Sequence, residues 1–109
     1  MGTIKSSREI ETIFRGAKRV AQASVILLVA RTPEGRGRSG RVAFIAGKKL
    51  GGAVVRNRSR RVLRAAIARV GGPWPAWDVV LIARPGTAIA HPETIDGELS
   101  VALKRAGVA

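Results

Sequence analysis

The sequence predicts an α+β fold, a two-layer α/β sandwich in the order α-β-β-α-β-α, and three observations lead to it. Short β-branched and leucine-rich runs at 24–31, 41–47 and 78–84 are each bounded by turn residues, the pattern of buried strands. Amphipathic segments of helical period stand before, between and after those runs. Finally, 109 residues with 46% hydrophobic content suffice for one core and are too few for two, so residues 1–109 are read as a single domain.

The elements follow in order. Ser6 to Arg15 opens with Ser6-x-x-Glu9, the spacing of a capping box, and carries Ile10, Ile13 and Phe14 at i, i+3, i+4. A short helix is predicted there, ended by Gly16. "SVILLVAR" (Ser24 to Arg31) reads as the first strand, and "TPEGRGRSG" (Thr32 to Gly40) as a loop by its Pro and Gly content. "RVAFIAG" (Arg41 to Gly47) reads as the second strand and as hairpin partner of the first. Gly51-Gly52 then breaks the chain before a helix from Ala53 to Val70, in which Val55, Ser59, Val62, Leu63, Ala66 and Val70 fall within about a third of the helical wheel. "GGPWPAW" ends it, with Trp74 and Trp77 expected to close the core beneath the third strand, "DVVLIAR" (Asp78 to Arg84). A last helix, starting between Pro92 and Asp96, places Ile95, Leu99, Ala102, Leu103 and Ala106 on one side before Gly107, and leaves His91 exposed beside its start.

Charge is the chain's most unequal property. Twenty Lys plus Arg against seven Asp plus Glu give +13, and between Glu34 and Asp78 there are eleven basic residues and no acid. Five arginines crowd into the nine residues from Arg56 to Arg64, at the start of a helix whose macrodipole favours anions. Like charges at this spacing repel, and ordinary solvated helices mix signs for pairing, so stability does not account for them. A polyanionic partner does, with nucleic acid ahead of an acidic membrane. On the wheel Arg56, Arg60 and Arg64 form one row, Asn57 and Arg61 continue round the exposed side, and Arg58 closes it toward the opposite edge. Each guanidinium can fork onto phosphate oxygens and stack on a base, and Lys48 and Lys49 just upstream extend the same surface.

Several functions are excluded or made costly by what the chain lacks. It has no cysteine and one histidine, so there is no disulfide framework, thiolate metal site or histidine cluster. The seven acids are scattered, and no carboxylate pair or metal cluster stands out; no catalytic and no metal-ligating residue is assigned. The longest apolar run, Val25 to Ala30, is too short to span a bilayer, and the N-terminus lacks the apolar core of a signal peptide. A cytoplasmic protein without a membrane partner is expected. The glycine-rich stretches carry no P-loop Lys-Ser/Thr.

"KKLGGAVVRNRSRRVLR" closely resembles the signature of the bacterial ribonuclease P protein subunit, in which Lys-Lys-x-Gly-x-Ala-Val-x-Arg-Asn-Arg leads into a basic helix. "DVVLIARPG" resembles that family's third strand and following turn, and "EIETIFRGAKRV" its first helix. The resemblance implies a ribonucleoprotein in which a large catalytic RNA removes the 5′ leader of precursor tRNA, the protein binding that RNA and the leader. It implies Mg²⁺ in the holoenzyme, held mainly by the RNA, and a left-handed crossover through the basic helix. By motif, Lys48, Lys49, Arg56, Asn57, Arg58, Arg60, Arg61 and Arg64 take RNA-binding roles, and Phe14, Arg15 and Arg84 leader-binding ones. Ile10 and Leu28 stand where family members often carry aromatics, and with no tyrosine and two phenylalanines stacking capacity is reduced; Gly47, where a serine usually precedes Lys-Lys, loses one hydroxyl. Two other classes share parts of the pattern: a ribosomal RNA-binding module, with the charge but no leader cleft, and a free-standing ribonuclease, which the scattered acids disfavour.

Overall fold

A computed structural model describes residues 2–3, 16–32 and 40–108. The predicted helix Ser6 to Arg15 and most of the Thr32 to Gly40 loop lie outside the described residues. The strands are β1 (Gly2–Thr3), β2 (Lys18–Ala21), β3 (Val25–Arg31), β4 (Arg41–Ile45) and β5 (Trp77–Ala83). The helices are α1 (Ala53–Val70) and α2 (Pro92–Ala106), with single 3-10 turns at Lys48–Leu50 and Thr87–Ile89.

The sheet runs in the order β1-β4-β5-β3-β2. The expected hairpin between the first two predicted strands is therefore not made: β5 lies between β3 and β4, antiparallel to the first and parallel to the second. The reason is burial. β5 is apolar on both faces, with Val79, Val80 and Leu81 fully buried, and a strand of that composition takes the middle of a sheet. A strand is also added to the predicted order, β2, paired antiparallel with β3. Its "KRVA" exposes every residue but Val20, which suits an edge and leaves no apolar run to read.

Both helices pack on one face of the sheet, α1 over β4 and β5 and α2 over β2 and β3. Leu63, Ala66 and Ile67 of α1 and Ile95, Leu99, Ala102 and Leu103 of α2 meet Val25, Leu27, Val29, Val42, Val79 and Leu81 in one core. α1 spans its predicted range, but its buried arc is rotated: Ile67 is fully buried, while Val55 is 37% exposed. The first turn of α1 runs past the edge of the packed core, and Val54 beside it stands 82% exposed. Ser59, at 1% exposure, is tolerated in the buried arc because its hydroxyl donates to the Val55 carbonyl at 2.9 Å. On the opposite face Leu28, Ala43 and Val80 form a second buried cluster.

The two ends of the sheet are tied by polar groups. At one end Asp78, 1% exposed, accepts hydrogen bonds from Thr32 Oγ1 at 2.9 Å and from Arg41 Nε and Nη2 at 3.1 and 2.6 Å. Trp77 is half-buried beneath the Arg31 guanidinium, 4.5 Å from the ring centroid, and Trp74 packs against the main core as expected. Gly40 has φ +74°, and a Cβ there would stand 2.1 Å from the Trp74 carbonyl oxygen, so both the turn and the close approach require glycine. At the other end the buried Thr87 hydroxyl donates to the Ser24 carbonyl and accepts from the Arg84 amide at 2.8 Å, and Glu98 of α2 accepts from the Ser24 amide at 2.7 Å. Between the helices Arg69 forks onto Asp96 through Nε and Nη2 at 2.8 and 2.9 Å. The hydrogen bond and charge of Asp96 raise the Arg69 pKa above its ordinary value.

Candidate nucleic-acid interface

The basic helix begins without help. Its N-cap is Gly52, with no side-chain cap and no acid in the first turn, so its free amides and the positive end of its dipole add to the arginines that follow. A helix so started is stabilised by an external anion rather than by its own side chains.

Packing of the Leu63–Ile67 arc divides the arginines into two rows. One flank carries Arg56, Arg60 and Arg64 with Asn57 beside them, toward β4: Arg64 lies over the Phe44 ring, 5.4 Å from its centroid, and Arg60 Nη1 donates to Asn57 Oδ1 at 3.0 Å. Arg56 and Arg60 are half-buried, whereas Asn57 and Arg64 are exposed; Arg56 Nε is buried without a hydrogen-bond partner among the described residues. The other flank carries Arg58 and Arg61, both exposed, toward the segment before α2. The six predicted polar positions on α1 are thus all at or near the surface but do not form one continuous row.

Lys48 and Lys49 stand exposed in the 3-10 turn between β4 and α1. They also border a groove of ≈ 790 Å³ on the sheet face away from α1 and α2. Its floor is Ile26, Ile82 and Ile45, consecutive across β3, β5 and β4 by register, and Arg84 and Pro85 form the far rim. Arg84 is half-buried and held there, its Nη1 donating to the Gln22 carbonyl at 3.2 Å. The two lysines therefore join the groove to the start of α1. Phe14 and Arg15 lie outside the described residues.

Sequence reading missed the three isoleucines and Phe44. Strand alternation offered the signal: Ile26, Ile45 and Ile82 have the parity opposite to the core residues Leu27, Val42 and Leu81. Which residues line up across strands depends on β5 lying between β3 and β4.

Among the described residues no three His, Asp or Glu side chains gather as a metal site. Asp78, Asp96 and Glu98 are occupied by Arg41, Arg69 and the Ser24 amide. A divalent ion held by a carboxylate cluster does not fit these residues.

Fold and surface together define a class: a small, strongly basic α+β protein whose crossover helix turns its arginines outward beside an apolar, cation-rimmed groove in the sheet. The ribonuclease P family model matches residues 2–107. The chain is 36% identical to the ribonuclease P protein component of Brevibacillus brevis over 96% of this chain and 82% of that one. Its fold matches the RNase P protein of Staphylococcus aureus at a TM-score of 0.82 and 26% identity, covering 99% of this chain and 97% of that one. A mutant of the S. aureus protein described as defective in mRNA degradation activity matches equally, at 0.82 and 26%, over 98% of this chain and 89% of that one. The chain belongs to the ribonuclease P protein family, whose role is tRNA processing. Among the described residues no helix is long and apolar enough to cross a membrane.

Proposed function

We propose that this chain is the accessory subunit of a cytoplasmic ribonuclease P, binding the catalytic RNA and the 5′ leader of precursor tRNA and assisting removal of the leader. The observation that carries it is the position of Lys48 and Lys49, which border the sheet groove and directly precede the arginine helix. A polyanion on α1 and a single strand in the groove then meet at one cationic junction. Arg56, Asn57, Arg60 and Arg64, with Arg58 and Arg61 on the other flank, take the phosphates of the RNA subunit. Ile26, Ile45 and Ile82 offer an apolar floor to unpaired bases of the leader, and Arg84 and the lysines take its phosphates. Phe14 and Arg15 belong to the same leader contact by motif. On this reading the hydrolytic chemistry would be supplied by the RNA subunit with Mg²⁺ held mainly by that RNA, and this chain's residues would contribute affinity for the RNA and the leader.

The test is cleavage of 5′-labelled precursor tRNA at low Mg²⁺ by the ribonuclease P RNA of the same organism, with the protein, without it, and with protein alone. Correct 5′ cleavage is expected only when RNA and protein are together. Cleavage indifferent to the protein would overturn the accessory role and leave ribosomal RNA as the partner to test. Cleavage by protein alone would make the chain a nuclease in its own right.

A further inference from the structure

The second row of arginines borders a site of its own. A shallow, open pocket of ≈ 330 Å³ lies between α1 and the segment entering α2, lined by Arg58, Arg61, Val62, Ala65, Arg69, Ala90 and Pro92. It is on the helix-covered side of the molecule, whereas the isoleucine groove is on the opposite sheet face. On the helix, Arg58, Arg61, Val62, Ala65 and Arg69 follow i, i+3, i+4, i+7, i+11, a single stripe that leads away from the Arg56, Arg60, Arg64 row. More than 90° of helix separates the middles of the two rows at about 100° per residue, so one strand tracking the first row does not reach this stripe.

Its chemistry is mixed in a particular way. Val62, Ala65, Ala90 and Pro92 make an apolar floor without a carboxylate. Arg58 and Arg61 stand at the mouth and donate no hydrogen bond to any described residue, so their guanidinium planes are available. Arg69 is fixed at one end by its fork onto Asp96, which neutralises it and makes it a wall rather than a free cation. Two free guanidinium groups over a small apolar floor match a planar group that carries its own anion. The cavity is at the lower end of the roughly 300–1,000 Å³ of small-ligand sites, room for one nucleotide and not for a helix.

Resting on the RNA-binding reading above, we propose that this cavity seats one unpaired nucleotide of the ribonuclease P RNA. The base lies on Val62, Ala65, Ala90 and Pro92 beneath a guanidinium plane, and its phosphate lies between Arg58 and Arg61. The occupant is the RNA subunit and not the leader, because the leader groove and this cavity are on opposite faces of the sheet. The second row thereby pins an exact position on the RNA, where the first row contributes charge along its backbone.

The test is chemical probing of base and 2′-hydroxyl reactivity in the ribonuclease P RNA, bound to the wild-type protein or to Ala65→Leu. Leucine at this exposed helical site fills the floor, keeps every charge and preserves helix propensity. With the RNA saturated by protein in every case, one or two unpaired nucleotides protected by the wild-type protein are expected to regain at least threefold reactivity with Ala65→Leu and with Arg61→Ala, while Arg60→Ala, which lowers affinity but is saturated here, restores no reactivity at those nucleotides. A profile identical for wild type and Ala65→Leu would overturn the proposal, as would a change confined to the leader of bound precursor tRNA. If Arg60→Ala weakens RNA binding while Ala65→Leu leaves the profile unaltered, only the cavity is refuted. If no variant changes RNA binding at all, the RNA-binding reading falls with it.

Discussion

The guanidinium of Arg64 rests on the ring of Phe44, 5.4 Å from its centroid, joining the outward face of α1 to β4. A long cation that would otherwise sample many rotamers is thereby held on one side of the helix, in the row with Arg56 and Arg60. A guanidinium loses less on forming a further bond when it is already oriented, so under the proposed RNA-binding role Phe44 is expected to act on RNA affinity through Arg64.

Replacing the ring without emptying its place isolates that effect. Phe44→Leu is expected to keep stability to within about 1.5 kcal/mol. It should weaken binding to the ribonuclease P RNA by no more than about fivefold, the equivalent of the roughly 0.5–1 kcal/mol of an exposed cation–π contact. In an Arg64→Ala background the same substitution should have no further effect on affinity, which a double-mutant cycle by fluorescence anisotropy would measure.

The first arginine row also predicts a salt dependence. If Arg56, Arg60 and Arg64 each neutralise a phosphate, single substitutions to Ala should weaken binding and lower the slope of log K against log salt by about 0.7–0.9 or less per contact. Affinities measured between low and moderate salt for the three variants check this. An unchanged slope with unchanged affinity would remove the residue concerned from the interface.

Asp78 is expected to matter for stability alone. Its carboxylate is 1% exposed and takes the Nε and Nη2 of Arg41, itself 15% exposed at the side chain, together with the Thr32 hydroxyl. Asp78→Ala removes two charge-assisted hydrogen bonds from a largely buried guanidinium, at a cost of about 1.5–3 kcal/mol. Urea titration should show the midpoint fall with little change in slope, while RNA affinity of the folded fraction stays the same.

Two glycines should respond in opposite directions. Gly40→Ala places a methyl against the Trp74 carbonyl at a left-handed φ of +74° and should destabilise by more than about 1 kcal/mol. Gly97 sits within α2 with nothing near the position of a Cβ, so Gly97→Ala should stabilise by about 0.5–1 kcal/mol. Thermal unfolding of both variants beside the parent gives the comparison.

Periodicity carried most of the elements. The Ala53–Val70 helix and the last helix from Pro92 have the spans that their apolar spacing and terminal glycines predict, because Gly71 and Gly107 adopt the left-handed conformation that ends each one. The central strand is legible as an apolar run because both its faces are buried. β2 is not, since an edge strand needs only Val20 turned inward and its other residues are free to be charged. His91 is exposed at the N-cap without a side-chain bond, as its place before Pro92 suggests.

The sequence by itself determined the two-layer class, the outward display of arginines and the family, since these depend on spacing along the chain and on a motif within one continuous stretch. Only the tertiary structure decided that β5 separates β3 from β4, that Ile26, Ile45 and Ile82 form one floor, and that the arginines split into two rows facing different surroundings. Those relations join residues far apart in the chain. They arise when the most apolar strand takes the centre of the sheet and the helix turns Ile67, rather than Val55, into the core.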